Sequence, residues 1–165
     1  MTAKLENDII NVYNEKEVLI GGITIQKNFK NTEIKIGEKI YQLSRNGWET
    51  KIYDNEKVIY HLKTNSFSGG TKIQETGYKI TGVFGSKWGT KMVDKENNTL
   101  LKIRNENQFL DKNQYEIEIS KTKVTDLDIL TTLYGHLNGS NMKLMGVIIG
   151  VVAISAVIMG REIFN

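Results

Sequence analysis

The chain has 165 residues, with 22 Lys and Arg against 19 Asp and Glu, and neither cysteine nor proline. That length suits one domain of ordinary size with appendages. A net charge of +3 spread along the chain argues against the concentrated basic footprint of a nucleic-acid binder, and the lack of cysteine excludes disulfides, thiolate nucleophiles and Cys-based metal sites.

At the N-terminus, MTAKLENDIINVYNEKEV carries charges where a secretory signal needs an unbroken apolar stretch, so no cleaved leader is expected. Richness in Lys, Asn and Ile points to an AT-rich bacterial source. From about residue 9 to 120, short runs alternate with period two between Gly, Asn and Asp turns. In TEIKI (32–36) Ile34 and Ile36 share a face, and in YEIEIS (115–120) Tyr115, Ile117 and Ile119 face away from Glu116 and Glu118. This pattern predicts strands near 9–13, 16–20, 22–27, 32–36, 39–44, 49–54, 57–63, 71–75, 77–83, 89–94, 98–103 and 114–120. The fold class is mainly β, a sandwich or a barrel.

Within this region the chain repeats itself. Trp48, Thr50, Lys51 and Asp54 recur as Trp88, Thr90, Lys91 and Asp94, inside similar stretches 41–63 and 78–104. Asp54-Asn55-Glu56-Lys57 and Asp94-Lys95-Glu96-Asn97-Asn98 read as hairpin turns, because Asp and Asn satisfy turn amides locally and tolerate positive φ. Both tryptophans read as core or rim packing residues, with ligand stacking as the functional alternative. NSFSGGTK (65–72) is a loop between the two copies.

After Ser120 the period changes. In TDLDILTTLYGHL, Leu127, Leu130, Leu133 or Tyr134, and Leu137 recur at helical spacing, with Thr125 able to cap and Asp126 and Asp128 in the first turn. NGSN (138–141) ends the helix.

Many short strands, then YEIEI, then Asp126-Leu127-Asp128 opening a helix, together resemble the Tubby C-terminal-like superfamily, in its LURP-one-related and phospholipid scramblase branch. The resemblance covers roughly residues 20–137. It implies a closed antiparallel barrel of about twelve strands around a central short helix, with Asp126, Leu127 and Asp128 as the scramblase-like motif. It also implies a two-fold internal similarity that would account for the repeat. The proline that precedes Asp-Leu-Asp in scramblases and a cysteine-rich acylation segment are absent. A helix enclosed by a barrel is expected to be apolar all round, and Asp128 and His136 depart from that. The run 144–160 is therefore an alternative filler.

That run, LMGVIIGVVAISAVIMG, passes seventeen residues without charge between Lys143 and Arg161. As a helix it rises about 27 Å from one base to the other, close to a bilayer's hydrocarbon thickness. Its Leu, Ile and Val residues favour insertion by about 3–5 kcal/mol. The expected organisation is a barrel domain over 1–137, a linker over 138–143 and a transmembrane helix from Leu144 to Gly160. Gly146 with Gly150 and Ala156 with Gly160 place small residues four apart, a spacing that permits a homodimer through the helix. Lys121, Lys123 and Lys143 precede the run, whereas Arg161 follows it and is offset by Glu162. The expected topology is a tail-anchored, single-pass membrane protein with its large domain cytoplasmic.

No phosphate-binding glycine loop, nucleophile elbow or zinc-protease pattern occurs. His61 reads as a surface or hydrogen-bonded residue, and Asp126 with Asp128 are too few for a calcium site. No catalytic residue, metal or cofactor is expected. The expected function is non-enzymatic binding of membrane lipid or a protein partner, with lipid scrambling or a soluble barrel module as alternatives. Lys72, Lys79, Lys87 and Lys91 are the candidate headgroup-facing bases.

Overall fold

A computed structural model describes residues 1–24, 31–83, 89–107, 111–120 and 123–138. Twelve strands run in chain order: β1 (Thr2–Glu6), β2 (Ile9–Tyr13), β3 (Leu19–Thr24), β4 (Asn31–Ile36), β5 (Lys39–Asn46), β6 (Glu49–Asp54), β7 (Lys57–Thr64), β8 (Thr71–Ile73), β9 (Lys79–Val83), β10 (Gly89–Val93), β11 (Thr99–Asn107) and β12 (Asp111–Ile119). Each pairs antiparallel with its chain neighbours, and β1 also pairs β12, so the meander closes into a barrel. Closure satisfies the backbone groups that an edge strand would leave open.

The inner wall is built by alternation. Ile10, Ile23 and Ile34 are direct cross-strand partners on β2, β3 and β4, and all three are buried. Leu43 and Ile52 continue the layer on β5 and β6, and Met92 and Leu101 on β10 and β11.

Inside the barrel lies one helix, α1 (126–138). Ile129, Leu130, Leu133, Tyr134 and Leu137 are buried, but so are Asp128, Thr131, Thr132 and His136, so the helix is enclosed on every face. Asp128, Tyr134 and His136 meet matching groups on the wall. Tyr60 Oη donates to Asp128 Oδ1 at 2.9 Å; Thr50 Oγ1 lies 3.4 Å from Tyr134 Oη. Thr90 Oγ1 lies 2.8 Å from His136 Nδ1, and Asn105 Oδ1 lies 3.1 Å from His136 Nε2. An enclosed helix need not be apolar where its buried ionisable groups are paired; satisfied pairing, rather than hydrophobicity all round, is how Asp128 and His136 are accommodated. The lumen thus holds 126–138; the alternative filler, 144–160, lies outside the described residues. Lys143, Leu144, Gly146, Gly150, Ala156, Gly160 and Arg161 lie outside the described residues. Among the described residues, no helix is long and apolar enough to cross a membrane.

Two strand predictions fail in compensating ways. β1 is absent from the sequence reading because only Ala3 on it is buried; it closes the ring through its backbone. The sequence predicts two strands here, 16–20 and 22–27, broken at Gly21, but β3 is continuous from Leu19 to Thr24. A Cβ on Gly21 would meet the Lys35 carbonyl oxygen and come within 2.9 Å of Leu130 Cδ1. The glycine lets the strand approach its neighbour and the helix closely, rather than turning the chain.

The expected two-fold relation of the repeats is replaced by a three-fold one. Hairpins β6–β7 and β10–β11 are four strands apart in a ring of twelve, and a third hairpin, β2–β3, stands four strands before them. All three share a register shift at positions separated by forty residues: Val12/Tyr13, Ile52/Tyr53 and Met92/Val93. The turn after β2 also matches the turn after β10. Asn14 Oδ1 accepts from the amides of Lys16 and Val18 at 2.8 and 3.0 Å. Asp94 Oδ1 accepts from those of Glu96 and Asn98 at 3.0 and 2.8 Å. β4, β8 and β12 begin at residues 31, 71 and 111, keeping the same period. The barrel is three four-stranded units around one helix.

Candidate functional site

A lumen filled by α1 leaves the barrel's ends and outer wall as the surfaces that can act on anything else. The helix fixes which end is which. Asp126 and Ile129, in its first turn, line an open depression of about 620 Å³ with Met1, Leu19, Ile36 and Val124. This is the entry end. At the other end, the Arg45 guanidinium donates to Asn138 Oδ1 and, through Nε at 3.2 Å, to the Gly47 carbonyl. The chain therefore leaves α1 beside the β5–β6 turn, which carries Trp48.

The Asp126-Leu127-Asp128 motif performs a capping task. Asp128 Oδ2 accepts from the Thr125 amide at 3.0 Å and from its hydroxyl at 2.8 Å, and the Asp128 amide donates to Thr125 Oγ1 at 3.2 Å. This reciprocal box satisfies end groups that a helix leaves open. The second carboxylate oxygen accepts from Tyr60, so Asp128 also ties the first turn to β7. Burial first, then the Asp128 charge and hydrogen bond, pushes the Tyr60 hydroxyl well above the usual tyrosine value. Asp126 is exposed in the entry mouth, and Leu127 is packed against the core cluster. Among the described residues, no group of three or more acidic or His side chains is placed to hold a metal ion.

The repeat residues divide by face. Thr50 and Thr90 point inward to α1, as the two contacts above show, while Lys51 is exposed and Lys91 partly so. Asp54 pairs with Lys39 at 3.8 Å, and Asp94 closes its turn. The turns take the positive φ expected of Asn, 53° at Asn55 and 66° at Asn97. Trp48 is a rim residue, 44 % exposed; Trp88 lies outside the described residues. His61 is a surface group, with Nε2 3.0 Å from Glu49 Oε2. That hydrogen bond, then the Lys63 charge, holds the Glu49 carboxyl below its ordinary value.

Of the candidate bases, Lys72 and Lys79 are direct cross-strand partners on β8 and β9, and Lys87 lies outside the described residues. Lys63 sits directly opposite Lys72 on β7. Lys63 is itself paired with Glu49, its partner on β6, at 3.5 Å, whereas Lys72 and Lys79 stand opposite each other as like charges that repel, which marks Lys72 and Lys79 as a place suited to an anion. Lys63 escaped the sequence reading because only strand register puts it beside Lys72. Phe67 escaped too; it is a fully exposed phenylalanine in the β7–β8 loop that the sequence marked only as a loop.

The sequence matches no family model, and it matches no curated protein and no solved structure.

Proposed function

We propose that this protein is a non-enzymatic barrel held at a membrane by its C-terminal run 144–160, with the barrel on the cytoplasmic side, where it binds lipid headgroups or a partner protein. The observation that carries this reading is the filled lumen. Because α1 occupies the barrel, the seventeen-residue uncharged run is not needed as its core, and an apolar segment of that length favours a bilayer over water. The twelve-stranded closed barrel with an Asp-Leu-Asp step into its helix supports placement in the Tubby C-terminal-like superfamily. Lipid scrambling is the less favoured reading, since helix capping accounts for Asp128 and Thr125.

Expression of the full chain in bacteria followed by alkaline carbonate extraction tests the proposal. A membrane-spanning run keeps the protein in the pellet, with the barrel digested by protease only in inverted vesicles. Release of the chain into the supernatant would overturn it.

A further inference from the structure

If the run 144–160 anchors the chain, the fold dictates which end of the barrel meets the bilayer. The described part of α1 reaches residue 138, and the apolar run begins at 144. Six extended residue steps span at most about 20 Å, so the exit end cannot lie farther than that from the membrane surface, whereas the entry mouth is at the far end of the barrel.

The chemistry of the exit end agrees. Trp48 follows Gly47, whose carbonyl is bonded by the same Arg45 that holds Asn138. Phe67 is fully exposed in the connection between β7 and β8. Lys63 and Lys72 flank that connection one residue inside each strand and face each other across it; Lys63 is paired with Glu49 at 3.5 Å, which leaves Lys72 as the base turned to an incoming anion. An aromatic tip between two bases matches a membrane interface, where aromatic rings sit at headgroup level and bases meet anionic lipid. The sequence adds a pattern. Before residue 144, Phe and Trp occur only at 29, 48, 67, 84, 88 and 109. Those at 48 and 67 fall in connections from an odd-numbered strand to the next even-numbered one, the set that a meander places at the exit end; the others lie outside the described residues. Among the described residues, no strand and no entry-end connection contains either residue.

We infer that the barrel docks end-on against the anionic lipid surface of the membrane in which its own C-terminal run is embedded, with Trp48 and Phe67 entering the interface and Lys72 meeting lipid phosphates. This rests on the anchoring reading above and adds an orientation to it. The entry mouth, with Leu19, Ile119 and Val124, then faces away from the bilayer.

The test uses the full chain reconstituted in phosphatidylcholine–phosphatidylglycerol vesicles whose acyl chains carry bromine near the headgroup. In a Trp88→Phe chain, Trp48 is the sole tryptophan. In a Trp48→Phe, Trp88→Phe background, Phe67→Trp reports the β7–β8 tip and Glu56→Trp reports the opposite end. The expected result is a blue shift and loss of emission at positions 48 and 67, with none at 56. Flotation with the vesicles but no quenching at 48 and 67 would overturn end-on docking and leave the anchor standing. Failure to float would overturn both. Quenching at 56 in place of 48 and 67 would show the opposite orientation.

Discussion

Thr50 and Thr90 hold opposite faces of one helix. Their hydroxyls reach Tyr134 and His136, which lie about 200° apart around α1, while the two threonines occupy the same place in hairpins forty positions apart. A repeat that looks ornamental in the sequence is thus the means by which the wall grips its core.

The two grips differ in strength. The Thr90 contact is short and serves a buried imidazole, so Thr90→Val is expected to destabilise by about 1–3 kcal/mol. The Thr50 contact, at 3.4 Å, is long for an O–H···O bond, and Thr50→Val is expected to lose less than about 1 kcal/mol. Urea unfolding of both variants measures the difference.

Gly21 is expected to tolerate no side chain. Gly21→Ala puts a methyl against the Lys35 carbonyl and Leu130, and overpacking of this kind destabilises by about 1–3 kcal/mol or more. Leu130→Ala in the same chain relieves only the side-chain half of the clash. A double-mutant cycle by thermal unfolding should therefore show coupling that falls short of full rescue.

Thr131 buries a hydroxyl for which the described residues provide no hydrogen-bond partner. Replacing such a group by one of the same shape removes a desolvation penalty. Thr131→Val is expected to raise stability by about 1 kcal/mol, read as a higher midpoint of thermal unfolding.

Tyr60 sets an alkaline limit. Its ionisation is pushed up in the folded barrel from an ordinary value of 10.0, so the folded state resists losing a proton that the unfolded chain gives up. The resulting stability is fully present below pH 10 and is lost as pH rises above it. Tyr60→Phe is expected to remove one proton from that alkaline slope. At neutral pH it also takes a donor from Asp128, at about 1.5–3 kcal/mol. Denaturation midpoints between neutral pH and pH 11 check both effects.

The strands were legible wherever one face was dry. Ile34 beside Glu33 and Lys35, or Ile117 between Glu116 and Glu118, announces its pairing partner's environment through alternation alone. β1 was not legible, because a strand that closes a ring through backbone bonds needs only one inward side chain, Ala3. Gly21 misled for the opposite reason, since glycine marks close approach as readily as a turn. The third repeat was hidden because Asp8 and Ile10 stand where Trp48 and Thr50, and Trp88 and Thr90, stand in the others. Only its turn and register shift betray it. At the exit end, Trp48 was visible as a motif residue, but its proximity to Lys63, Phe67 and the end of α1 depends on strand order around the ring.

α1 fills the barrel, and the barrel is expected to fold without the terminal apolar run. Truncation to residues 1–141 tests it most directly, by thermal unfolding beside the full chain in detergent. A soluble fragment with a cooperative transition and the β-rich circular dichroism of the full chain is the expected result. A fragment that aggregates or melts without cooperativity would mean that the final run completes the core, and the anchoring account would fall with it.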